Sequence, residues 1–222
     1  MNQKTKLNIL LIVAALFFAV IAGYFYLPSI LGDTVYPLEY EDLIVKYSKQ
    51  RELDPSLVAA VIMQESRFSP TARSYAGAAG LMQIMPGTQA GIAKQLGYSS
   101  WDINDPETAI NFGTHHLQGL MGRYDSNIKA VLAGYNAGGG NADIWLRLGM
   151  LDNIPISETR HYVKNVINYQ QIYANLYPDE LDITGTNYAS TLEDGQQDTV
   201  YSKFWLMIFE RFTPADSKKN ES

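Results

Sequence analysis

The chain contains no cysteine. That excludes disulfide staples, thiolate zinc sites, a cysteine nucleophile and a lipidated N-terminal cysteine. Histidine is nearly as scarce, with His115, His116 and His161 as the full set. None of the three has the HExxH or acidic-ligand spacing of a metal site. His115 and His116 fall side by side in an expected helix, where neighbours do not share a face. No Walker or dinucleotide-type glycine loop occurs. The expectation is therefore no metal and no cofactor. Basic charge is also short: 17 Lys and Arg face 23 Asp and Glu, a net of −6. Residues 37–177 hold 11 bases and 13 acids, a net of −2, while residues 178–200 hold six acids and no base. The acidity belongs mainly to a tail, and nothing basic enough for a nucleic-acid footprint remains.

What is present is apolar and aromatic. Hydrophobic residues make up 46% of 222, and 15 are tyrosine. This suits one packed domain of ordinary size with appendages and a polar, aromatic-lined groove. At the N-terminus Lys4 and Lys6 precede an uncharged run over residues 8–27. At ~1.5 Å per residue that run spans roughly 30 Å, the thickness of a bilayer core. Asp33, Glu39, Glu41 and Asp42 follow it. The charge order places residues 1–7 in the cytoplasm, a membrane anchor at 8–27 and the remainder outside. A cleaved signal peptide is the alternative; the run is long for one and lacks a clear small-x-small end.

Residues 28–36 read as a short spacer, and a first domain helix is expected over 38–51. Asp54-Pro55 and Asp105-Pro106 are helix-start signals, a capping carboxylate followed by a proline at the first helical position. Residues 77–86 read as a glycine-rich loop leading to a helix at 88–96. A further helix, about 127–136, stops at the Gly138-Gly139-Gly140 break. A short helix follows at 141–148, and Ser157 is the expected cap of a last long helix. Strand signals are few, so the fold class is mainly α. Residues 178–222 differ. They begin as an acidic linker and end in an aromatic, apolar stretch at 201–212, too short to span a bilayer and suited either to a membrane surface or to docking on the domain.

Glu65 stands out within this scheme. Leu57, Val58, Val61 and Ile62 form a helical apolar stripe whose next member is position 65. A carboxylate there points toward the core. Burial without a full-charge partner raises its pKa, the property a general acid requires. Gln83 interrupts the apolar run of residues 81–85, and Tyr135-Asn136 sits at a helix end before the glycine break. Amides and tyrosines suit sugar hydroxyls and N-acetyl groups. Taken singly, each residue also has a bland explanation: a solvated loop amide, a core tyrosine, a carboxylate paired with an arginine.

Four motifs occur in order: Glu65-Ser66; Gly80-Leu81-Met82-Gln83-Ile84-Met85-Pro86; Gly134-Tyr135-Asn136-Ala137-Gly138; and Glu158-Thr159-Arg160-His161-Tyr162-Val163. Together they resemble the motif set of the soluble-lytic-transglycosylase (SLT) domain, family 1 of the lytic transglycosylases, over about residues 53–177. Gly134 departs from the alanine usual in the family. The resemblance implies a mainly helical, lysozyme-like catalytic domain at 37–177 with the glycan in a long groove. It also implies cleavage of the MurNAc–GlcNAc β-1,4 bond of peptidoglycan. Glu65 is then the single acid/base, protonating the leaving oxygen and next activating the C6 hydroxyl of the same MurNAc to give a 1,6-anhydro end. Carried over by motif, Ser74, Gln83, Met85, Tyr135 and Glu158 line the groove, with Tyr135 close to Glu65 and orienting it. Asn136 and Tyr162 are weaker members, and Tyr162 fits core packing better. Ordinary glycosidases need two carboxylates. Asp102, Asp105 and Asp125 read as caps or loop residues, so a second one is missing.

Two other functions fit parts of this pattern. One is a hydrolytic muramidase such as a goose-type-like lysozyme; the other is a non-catalytic, membrane-tethered glycan-binding scaffold. The expected partners are peptidoglycan strands and, through residues 8–27, a membrane. The single-domain form with a tail also suits service to a cell-envelope or secretion machine.

Overall fold

The computed structural model describes residues 2–182; the expected aromatic tail at 201–212 lies outside the described residues. The chain divides into two units, of which the described parts are 2–36 and 37–182. The first is a single helix, α1 (Gln3–Val35). It continues through the expected spacer, so residues 28–35 are helical. Pro28 falls inside this helix, where it has no N–H to reach the carbonyl four residues earlier. Leu27, Ile30 and Leu31 keep the segment apolar on either side of it.

The second unit is built from α2 (Glu41–Gln50), α3 (Pro55–Ser66), α4 (Pro86–Leu96), α5 (Pro106–Arg123), α6 (Ile128–Ala137), α7 (Gly139–Arg147) and α8 (Ser157–Leu176). No strand forms among the described residues; the pairs Arg73–Ala79 and Ala79–Ile84 make isolated bridges. The start signals act as expected. The Asp54 carboxylate accepts from the Ser56 N–H at 2.8 Å and Asp105 from Thr108 at 2.9 Å; Asn127, not among those signals, caps α6 in the same way, its amide oxygen accepting from Ala130 at 3.2 Å. Each satisfies one of the donors that a helix leaves free at its start. Ser157 is the exception. It is the first residue of α8, and Ile156 precedes it without a side-chain cap. The glycine triplet divides its work. Gly138 takes φ 82° and breaks the chain, while Gly139 and Gly140 open α7.

α3 is the central element. It packs chiefly against α8 and also against α2, while α6 joins α5, α7 and α8. All nine residues from Pro55 to Met63 are buried. Burying an aliphatic side chain of this size is worth about 1.5–3 kcal/mol, and α3 does so on every side. This corrects the stripe reading: α3 has no wet face along most of its length. Glu65 is set apart because it lies where the helix emerges.

The domain also extends past the expected boundary at 177. Leu181 is fully buried, and Asp182 pairs with Lys49. A lone leucine beside acids carries no periodic pattern, so the sequence offered no sign that it returns to the core.

Candidate active site

Glu65 occupies the last turn of α3, half-buried. Immediately beyond it Arg67 and Phe68 both take left-handed backbone angles, φ 51° and 62°. They turn the chain sharply away from the helix axis. Phe68 is buried, with its ring 6.1 Å from that of Tyr173 on α8. The Ser66 hydroxyl ties the helix end to the following loop, donating to the Leu81 carbonyl at 2.8 Å and to Ile62 at 3.2 Å. The acid is thereby mounted on a core helix and fixed against residues 69–85.

Burial pushes the Glu65 carboxyl up from 4.5 to about 7, and one hydrogen bond from the Tyr162 hydroxyl opposes part of that rise. The bond is 2.7 Å long, to Oε1. A carboxyl that titrates near neutrality is present in both protonation states, as a group that first donates and then accepts a proton requires.

Both tyrosines act on the surroundings of Glu65, in different ways. Tyr162, rated as core packing, is the residue bonded to Glu65. Tyr135, expected to orient Glu65, instead donates its hydroxyl to the Met82 carbonyl at 2.9 Å and faces His116 at 5.1 Å between rings. Both phenols are held well above their ordinary pKa, first by burial and then by the Glu65 charge. Tyr135 therefore shares the electrostatic environment of the acid while anchoring the loop opposite. Helical periodicity placed Tyr162 on the buried face correctly. It could not show that this face abuts the end of α3.

The remaining expected residues separate into loop builders and exposed groups. Gln83, at φ 48°, donates both amide protons to backbone, to Ala72 at 3.0 Å and Gly80 at 2.9 Å. It holds the loop that flanks Glu65. Ser74 is exposed, and its Oγ accepts from the Ala78 N–H at 2.9 Å, closing a tight turn. Met85 precedes α4 and is 44% exposed. Asn136 is half-buried near the end of α6. Glu158 is exposed in the first turn of α8, one helical turn before Tyr162 and so on the same side of that helix.

Two glycines are fixed by contact. A Cβ on Gly80 would lie 2.3 Å from the Ile103 carbonyl oxygen, at a φ of 79°. One on Gly113 would lie 2.0 Å from the Met82 sulfur. Gly134, the departure from the family alanine, lies under the Tyr124 ring, which a Cβ would meet at 3.0 Å.

Residues 42–151 match the transglycosylase SLT domain, and residues 153–180 match the soluble lytic transglycosylase helical domain. The chain belongs to the transglycosylase SLT family. It is 40% identical over 157 residues to the soluble lytic murein transglycosylase of Escherichia coli K12, an alignment covering 65% of this chain and 24% of that protein. It is 28% identical over 171 residues to the membrane-bound lytic murein transglycosylase C of Actinobacillus succinogenes, covering 72% and 46%. Among solved structures it resembles the 70 kDa soluble lytic transglycosylase of E. coli, with a TM-score of 0.61 and 36% identity over 68% of this chain and 26% of that one. That enzyme has also been solved in complex with bulgecin A. An inactive glutamate-to-glutamine mutant of the lytic transglycosylase Slt from Pseudomonas aeruginosa matches with a TM-score of 0.61 at 33% identity, over 64% and 25%. The SLT fold is thus the lysozyme-like, mainly helical one expected. The chain spans about a quarter of the length of its soluble relatives.

Proposed function

We propose that this protein is a lytic murein transglycosylase that cleaves the MurNAc–GlcNAc β-1,4 bond with Glu65 as its single acid/base. The observation that carries the reading is the half-buried Glu65 carboxyl, pushed up to about 7 and bonded to Tyr162. Among the described groups, burial and the Tyr162 hydroxyl are what act on it, and no second carboxylate does. In the proposed reaction the protonated Glu65 gives its proton to the glycosidic oxygen as that bond breaks. The carboxylate then removes the proton of the C6 hydroxyl as its oxygen bonds to C1, which closes the 1,6-anhydro ring and restores the acid. Water is not the acceptor, so no second carboxylate has to position it. The relatives' names, and the inactivity of the glutamate-to-glutamine mutant of the Pseudomonas enzyme, support the same reading.

α1 includes a stretch, Gln3–Gly23, long and apolar enough to cross a membrane. With Lys4 and Lys6 ahead of it, we place the N-terminus in the cytoplasm and the domain on the far side, within reach of the wall. Membrane-bound relatives are consistent with this placement.

The test is digestion of purified sacculi followed by mass spectrometry. The expected products end in 1,6-anhydro-MurNAc, and Glu65→Gln yields none. Reducing MurNAc ends alone identify a hydrolytic muramidase. Unchanged digestion by Glu65→Gln overturns the catalytic assignment, and binding without digestion by the unmodified chain identifies a scaffold.

A further inference from the structure

We propose that Trp101, with Tyr98 beside it, is a sugar-stacking subsite that extends the glycan groove away from Glu65. The proposal rests on the reading of the groove as a peptidoglycan site. Both rings belong to the segment between α4 and α5, and each keeps more than a third of its surface in water, 38% for Trp101 and 37% for Tyr98. Both rest on one fully buried ring, that of Phe112, with centroid separations of 6.1 Å and 5.2 Å.

Their polar edges are held from below. The Trp101 indole N–H donates to Gln89 Oε1 at 3.1 Å, and the Tyr98 hydroxyl accepts from Asn111 Nδ2 at 2.9 Å. Gln89 and Asn111 are themselves buried, at 7% and 8%. Gln89 is the link to the site. Its Nε2 donates to the Ile84 carbonyl at 2.7 Å, and its backbone N–H donates to the Met85 carbonyl at 2.9 Å. One buried amide therefore joins Trp101 to the loop that carries Gln83 and the exposed Met85.

This geometry favours a carbohydrate. A pyranose ring presents axial C–H groups that pack on a flat aromatic face. A large, rigid ring with few rotors offers that face at low entropic cost. The indole N–H and the phenol oxygen are each held by a buried amide. The residues between them, Ser99 and Ser100, are small, neutral and hydroxylated, which suits sugar hydroxyls better than a charged or lipid surface. Met85, 44% exposed, stands in the loop that Gln89 holds. A strand lying in the groove would set a sugar remote from the scissile bond on Trp101, where it holds the strand without touching the chemistry.

The experiment uses the full chain carrying Glu65→Gln, so that ligand is bound and not consumed, together with Trp205→Phe. Of the three tryptophans, Trp145 is buried, so iodide quenching then reports Trp101. GlcNAc oligomers of two to six units are titrated. The expected result is a step of about tenfold in affinity at one oligomer length, coincident with protection of Trp101 from iodide. Trp101→Ala abolishes the step and leaves the shorter oligomers at their original affinity. Should that variant melt early, Trp101→Phe, which keeps a ring, is expected to retain part of the step. A smooth length dependence, an iodide-accessible Trp101 at saturation, or oligomer binding that ignores both substitutions overturns the proposal. Sacculus digestion by the unmodified chain is scored separately: digestion without the step refutes this subsite alone, and failure to digest refutes the reading beneath it.

Discussion

Replacing Glu65 by glutamine is expected to stabilise the folded protein by an amount that grows as pH rises from about 4.5 and is complete above about 7. The carboxyl titrates at 4.5 when unperturbed and at about 7 in the fold. Below pH 4.5 both states hold the proton and the group adds no pH dependence. Between 4.5 and 7 the unfolded chain has released it and the folded chain has not, so stability falls as pH rises, by about 1.4 kcal/mol per pH unit. Above 7 both states are ionised and the loss is complete, with a ceiling of about 3 kcal/mol. Glu65 keeps some contact with water, which reduces this to about 1–2 kcal/mol. Glutamine preserves the shape, can accept the Tyr162 hydrogen bond and carries no charge. The assay is thermal unfolding of the unmodified and Glu65→Gln chains at pH 4, 6 and 8. The expected gain in Tm is near zero at pH 4 and about 4 °C at pH 8. A gain that is flat with pH, or a variant less stable at pH 8, would refute the claim that burial forces the carboxyl up.

Tyr162→Phe removes the donor that favours the Glu65 anion, so the midpoint for Glu65 moves up by about one pH unit. The alkaline limb of the pH–rate profile of sacculus digestion moves with it; an unmoved limb means the bond has no bearing on the acid. Gly113→Ala drives a methyl group into Met82, whose carbonyl holds Tyr135. It is expected to cost about 1–3 kcal/mol in urea unfolding, and a neutral result shows that Met82 has room to move.

Much of the helical plan was legible because its signals are local. Asp54 and Asp105 cap the helices they precede, and Gly138 breaks the chain where the triplet occurs. Glu65 was singled out by its motif, although the periodic reasoning offered for it was incomplete, since α3 is buried along most of its length. Two kinds of feature were not legible. Leu181 returns to the core with no pattern around it. The hydrogen bond from Tyr162 to Glu65 was not foreseen, because it depends on how α8 packs on α3. Sequence spacing places a residue on a face of its own helix. It does not say which atom waits across the gap.

The seating of Glu65 on α3 bears on how the protein loses activity. A residue carried by a surface loop disappears from its working position whenever that loop opens. The backbone of α3 is enclosed along most of its length, and such segments exchange their amide hydrogens only when the whole domain unfolds. Fluctuations of the chain between α4 and α5 leave the α3 backbone in place, whereas the Ser66–Leu81 bond couples its last turn to residues 69–85. The position of the Glu65 carboxyl then depends on two things together, the enclosed body of α3 and the Ser66 bond that holds its last turn to Leu81.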